Sequence, residues 1–338
     1  MISRSEDLQH DRQPATLKLF GETSPSTKLT LRTCFERYLV HDYQPDQKST
    51  VSAYYTALNH WERLTGNPDV SAITNETVRD FRDGLIASGL SNDTINKNWR
   101  HLRAIFRRIG PWESGNPQAE EIIRRPPHMK PLPSAQKMPE VVDTDVINRI
   151  YRACDIAEWP SRSRVPAPVL WRCALVLFCN YGPRTWDCWK LTWNEINWSE
   201  NRLRFVPQKT RRNRRVVEVP LNGTVRAHLR TVEENSPRLF PVTEDRGDLY
   251  NQWPTIQYAA AIRRKADHVD FQHLRSTCNS WYERMKPGIG KWILGHAAQG
   301  VNERYYLNLW SEIVEAVEQL EQPEAFLDQR DDSQLRLF

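Results

Sequence analysis

The hydrophobic positions of this 338-residue chain fall into two differently patterned halves with a proline-rich stretch between them. From Leu29 to Ile109 apolar residues recur every three or four positions, broken at Gly66-Asn67-Pro68 and at Gly89, which predicts four or five helices in a small domain. In INKNWRHLRAIFRRI (95–109), Ile95, Trp99, Leu102, Phe106 and Ile109 share one helical face, while Lys97, Arg100, Arg103 and Arg107 share another. Pro117, Pro126, Pro127, Pro131 and Pro133 then remove backbone donors and bias the chain to extended conformations, so the segment reads as a linker.

The second half opens with Asp143, placed to cap a helix running through Tyr151. PVLWRCALVLFCNYG (168–182) is apolar all round and predicts a buried central helix stopped by Gly182. Between Trp193 and Leu221 the period changes, and NRLRFVP and RRVVEVPL read as short strands joined by a basic loop. Further helices are expected near 223–234, 251–264, 272–285 and 303–320. In the last of these Leu309, Ile313, Val317 and Leu320 form an apolar stripe that either closes its own domain or couples two subunits. The expected fold class is mainly α with a small antiparallel β-sheet (α+β). Its expected divisions are a flexible segment 1–27, a helical domain 28–112, a linker 113–139, a mixed domain 140–321 and a tail 322–338.

Composition sharpens this only in part. No window is long and apolar enough to suggest secretion or membrane spanning, which gives a cytoplasmic expectation. The six cysteines show no C-x-x-C spacing and read as reduced packing residues. The net charge of +5 is mild, but the cations are bunched. KTRRNRR (209–215) holds Lys209, Arg211, Arg212, Arg214 and Arg215, and the 95–109 helix holds the second cluster. One such run is usually a solvated surface; two, in separate domains, point to nucleic acid.

The candidate chemistry is dispersed along the second half. Arg184 follows a Gly-Pro turn, Lys209 lies on the hairpin, Arg275 is near a helix start, and His296 precedes Tyr305 by nine residues. Two arginines can grip one phosphate with planar forks of donors and stabilise a five-coordinate transition state. Lysine can protonate a leaving alkoxide, and tyrosine can form a covalent phosphoester. Each residue alone would more often be an ion-pairing, solvated or packing group.

In order, the Arg184 box, the Lys209 hairpin, HLRS (273–276), LGH (294–296) and Tyr305 resemble the tyrosine site-specific recombinases, the phage-integrase family, over about residues 29–320. The resemblance implies a helical core-binding domain and a mixed catalytic domain that close on DNA. It selects Tyr305 over Tyr306 as nucleophile, forming a 3′-phosphotyrosyl bond without metal or cofactor. Arg184 and Arg275 would clamp the phosphate, Lys209 would protonate the leaving 5′-oxygen, His296 would hydrogen-bond the phosphate, and Asp187 would orient a cation. Where the family commonly has histidine three residues before its second arginine this chain has Gln272, with His273 one position later; Gln272 donating in its place is the expectation over a backbone shift that brings His273 inward, since one step along a helix turns a side chain by about 100°.

The implied partners are double-stranded DNA with inverted-repeat half-sites and further copies of the chain, as a tetramer on DNA in the nucleoid. Related readings are a type IB topoisomerase, a telomere resolvase, or a catalytically decayed DNA-binding scaffold. The last residues, QLRLF, resemble a sliding-clamp-binding peptide through Gln334, Leu335, Leu337 and Phe338.

Overall fold

The computed structural model describes residues 28–43, 47–111, 119–136, 138–161, 163–209, 216–232, 237–241, 246–296 and 308–328. The N-terminal segment, Arg211, Arg212, Arg214, Arg215, Tyr305, Tyr306 and the QLRLF tail lie outside them. The chain divides into two compact units, 1–136 and 137–338.

In the first unit, helices α1 (Leu31–Tyr38), α2 (Lys48–Thr65), α3 (Asn75–Ala87) and α4 (Asn92–Ile109) pack around Trp61, whose indole lies 5.4 Å from Phe81 and 6.0 Å from Phe106. The punctuation is local. Gly66 takes the left-handed conformation that ends α2, and the Thr74 and Ser91 hydroxyls accept N–H groups in the first turns of α3 and α4. The apolar face of α4 is fully inside, leaving Lys97, Arg100, Arg103 and Arg107 exposed along it.

The described part of the proline-rich stretch packs on this unit. Ile123 and Met129 are buried in its core, and the Asn96 side chain both accepts the Leu132 N–H (2.8 Å) and donates to the Leu132 carbonyl (2.9 Å). A segment whose prolines cannot donate is thus held by asparagines on α4, a pairing 36 residues apart that carries no local signature.

The second unit is built on α6 (Ala167–Tyr181), buried along nearly its whole length as its uniform apolarity predicts, and ended by Gly182 at φ 50°. Around it lie α5 (Thr144–Ala153), α7 (Thr185–Trp189), α8 (Gly223–Thr231), α9 (Arg246–Ala259), α10 (Phe271–Met285) and α11 (Gly290–Ile293). Asp143 occupies the position before α5, but its side chain makes no capping bond. Strands β1 (Ile196–Asn197), β2 (Arg202–Phe205) and β3 (Val217–Pro220) form one antiparallel sheet in sequential order, with Leu203 opposite Val219. The helix expected at 251–264 lies earlier, since Ala261 is left-handed (φ 63°) just past its end.

The apolar stripe after residue 307 closes its own unit. In α12 (Trp310–Glu318), Ile313 and Val317 are buried, as is Leu320 beyond it. Packing continues past 321: Gln322 exchanges hydrogen bonds with Asn180 (2.9 and 3.1 Å), and Phe326 in α13 (Glu324–Leu327) lies 5.1 Å from Tyr151 and 6.4 Å from His228. The six cysteines are free and buried, and burial pushes their thiols up, Cys34 to about 11 and Cys154 to about 12. No helix among the described residues is long and apolar enough to cross a membrane.

Phe326 is 1% exposed, so Phe326→Ala should leave a cavity and destabilise the second unit by about 3 kcal/mol or more. Denaturant unfolding measures this, and an unchanged midpoint would show that the segment after Leu320 adds nothing to the core.

Candidate active site

Arg275 sets the geometry. Its position on α10 directs the guanidinium under the C-terminus of α6, where it is 6% exposed. One terminal nitrogen donates to the Gly182 carbonyl; the other donates to the Leu294 carbonyl (3.0 Å) and lies 3.1 Å from His296 Nε2. Because arginine is donor-only, His296 Nε2 must accept there, which places any ring proton of the neutral imidazole on Nδ1. Burial first, and then the positive charge of Arg184, lower Arg275 to about 10.

Gly182 is required twice. Its left-handed backbone disfavours a side chain, and a Cβ there would stand 3.3 Å from Arg275 Cγ and from both Cβ and Sγ of Cys278. Gly295, at φ 65°, likewise presses on Val217 of β3, so the Leu-Gly-His turn is seated against the sheet. The His296 N–H donates to the Lys291 carbonyl at 2.7 Å.

Arg184 stands at the N-cap position of α7, half-buried, with Nη1 3.7 Å from Asp187 Oδ2. Asp187 is buried; its Oδ1 accepts the Gln208 N–H at 2.9 Å, while Oδ2 has no hydrogen-bond partner among the described residues, 3.7 Å being an ion-pair distance only. Burial raises its pKa, opposed by the Gln208 bond and by the charges of Arg184 and Arg275. Gln208 leads directly to exposed Lys209, so this one bond ties the base of the hairpin loop to the arginine helix.

Arg184, Asp187, Lys209, Gln272 and Arg275 line one open cleft of about 380 Å³, walled by Pro183, Trp186 and Phe271. His273 is turned elsewhere. Its backbone N–H donates to the Asp270 carboxylate (2.8 Å), its Nδ1 accepts the Asp270 N–H (3.3 Å), and Nε2 lies 3.2 Å from Glu140. The helix cap and Glu140 thus occupy the histidine and leave Gln272 exposed on the cleft. Lys97, Arg100, Arg103 and Arg107 belong to the first unit and are exposed on α4.

One cleft residue escapes a reading of the sequence. Tyr250, on α9, lines the same cleft and is 53% exposed. Its signal is faint but present: Leu249, Trp253, Ile256 and Ala260 mark the buried face of this helix, and Tyr250 is an aromatic out of phase with them. Two guanidinium groups, an ammonium and neutral donors around one opening suit a phosphate group, and the same donors can follow the charge that develops during its transfer.

No protein-family model and no curated protein sequence matches the chain. Solved structures do. The chain is similar to a lambda integrase dimer bound to a COC′ core site (17% identity, TM-score 0.56, covering 80% of this chain and 93% of that one). It is similar to a Tn1549 transposon integrase in complex with a circular-intermediate DNA (13% identity, TM-score 0.60, covering 85% and 98%). It is also similar to the XerH site-specific recombinase in a pre-cleavage complex with its difH substrate (15% identity, TM-score 0.55, covering 74% of each chain). The fold assembled around the Arg184–Arg275 cleft is that of the tyrosine site-specific recombinases.

Proposed function

We propose that this protein is a site-specific DNA recombinase that breaks and rejoins strands through a 3′-phosphotyrosyl intermediate, using no metal or cofactor. The observation that carries the reading is the convergence of Arg184, Lys209 and Arg275 on one cleft, with His296 bonded to Arg275. In the mechanism, Arg184 and Arg275 hold the nonbridging oxygens and Tyr305, giving its phenolic proton to solvent, attacks phosphorus. The bond to the 5′-oxygen breaks, and Lys209 gives that oxygen its proton. The phosphoester keeps the bond energy until a 5′-hydroxyl reverses the step. Gln272 supplies a neutral hydrogen bond, His296 a further one, and Asp187 orients Arg184.

The proposed partners are duplex DNA, as inverted half-sites, and further copies of the chain. The similar structures include complexes with core-site, difH and circular-intermediate DNA and a lambda integrase tetramer on a Holliday junction. Exposed Lys97, Arg100, Arg103 and Arg107 on α4 suit the DNA backbone, as do Arg211, Arg212, Arg214 and Arg215 of the hairpin. The Gln334–Phe338 tail is proposed separately as a sliding-clamp ligand, to be read by binding of a tail peptide to a purified clamp. Gln272 favours one second reading, a DNA-binding protein that no longer cleaves.

Sequencing the DNA retained by a Tyr305→Phe protein should yield the inverted half-sites. On that DNA, nicked near the cleavage point, wild type should form a covalent adduct and Tyr305→Phe none; a wild type that binds without any adduct supports the second reading. Lys209→Ala should slow adduct formation roughly a hundredfold at unchanged affinity. Loss of affinity with an unchanged rate would remove Lys209 from the general-acid role. Replacing Arg103 or Arg107 should weaken binding and reduce the salt slope by about one unit per phosphate that is no longer neutralised. Gly182→Ala should displace Arg275 and slow cleavage by about a hundredfold while the protein stays folded; wild-type rates in that variant would show that the arginine tolerates a moved anchor.

A further inference from the structure

The tyrosines of the second unit divide sharply by what their hydroxyls do. Tyr151 is bonded to His228 (2.7 Å), Tyr181 donates to the Pro220 carbonyl (2.8 Å) and Tyr282 to the Asn180 carbonyl (2.9 Å); all three are buried. Exposed Tyr258 has the Arg263 guanidinium over its ring at 5.3 Å. Tyr250 alone among these has neither a hydrogen-bond partner nor a ring contact among the described residues. It projects from α9 at a position off the buried face, into the cleft that holds Arg184, Lys209, Gln272 and Arg275.

Neither packing nor helix formation asks for an aromatic at such a position, since its ring is half in water and its phenol bonds no described residue. The surrounding electrostatics do favour one kind of group there. Arg275 is already burdened by the charge of Arg184, so a further cation would add repulsion in the empty cleft. A phenol donates a hydrogen bond to an anion without adding charge. It also comes from a different element, α9, from those that carry the other cleft residues, α7, α10 and the hairpin.

We infer that Tyr250 is a further catalytic residue, whose hydroxyl donates a hydrogen bond to a nonbridging oxygen of the phosphate seated between Arg184 and Arg275. This rests on the recombinase reading, and supplements the neutral donor Gln272 where the resembled family has a histidine. The bond is worth most when charge accumulates on that oxygen, so its loss acts on the rate of cleavage rather than on DNA affinity.

The test is single-turnover adduct formation by the full chain on the nicked site, with wild type, Tyr250→Phe, Tyr258→Phe, Tyr305→Phe and the Tyr250/Tyr305 double variant. Tyr250→Phe keeps the ring at an exposed position and should fold normally. It should slow cleavage by roughly tenfold, as expected for a lost hydrogen bond to a charged group, with unchanged DNA affinity and salt slope. Tyr258→Phe should match wild type. A Tyr250→Phe rate within a factor of about two of a competent wild type would overturn the inference and leave the recombinase reading standing. A wild type with no adduct overturns both. An adduct that survives Tyr305→Phe but disappears in the double variant makes Tyr250 the attacking group, which overturns the donor role and the assignment of Tyr305 together.

Discussion

A buried guanidinium cannot shed its charge at neutral pH and must be met by acceptors from every side it faces. In this protein that requirement falls on Arg275, and the acceptors are backbone carbonyls, at Gly182 after α6 and Leu294 after α11, together with the ring of His296. Two stretches of chain far apart in sequence, the end of α6 and the Leu294–His296 turn, are therefore located by one side chain. The left-handed turns at Gly182 and Gly295 are the local means of bringing those carbonyls into reach. These acceptors take three of the five N–H donors of the arginine, and its remaining donors, the exposed part of Arg184 and the ammonium of Lys209 are left for an anion.

Much of this is legible in the sequence because it is periodic or punctuated. The apolar run of α6, its terminal Gly182 and the shift to strand patterning before KTRRNRR announce their elements directly, and the separation of Arg184, Lys209, Arg275 and His296 along the chain matches a known order. Helix geometry alone favours Gln272 over His273 on the cleft, but what holds His273 away is not written in the spacing. It is an interaction with no regular spacing, the reciprocal cap between Asp270 and His273. Tyr250 is hidden because a single out-of-phase aromatic in a polar helix looks like ordinary surface until its neighbours in space are known.

Two segments pack more closely than their composition suggests, for the same reason. Residues 119–136 look like a linker and residues 322–328 like the start of a tail, since both are polar and contain proline. Their anchors are side-chain amides on distant helices: Asn96 for Leu132, Asn180 for Gln322 and Asn148 for the Ala325 N–H. Amides can satisfy both donors and acceptors of an irregular strand of chain. A hydrophobicity pattern registers none of this, because the residues that hold such a segment are neither apolar nor nearby.

The bond from the Gln208 N–H to Asp187 sits one residue before Lys209, at the point where the hairpin loop leaves the body of the unit. It fixes the chain one residue before the lysine from the side of the scaffold. A change made further along the loop therefore need not move Lys209, because the residue before it is tied to Asp187. A single backbone amide couples the start of the loop to the helix that begins at Arg184.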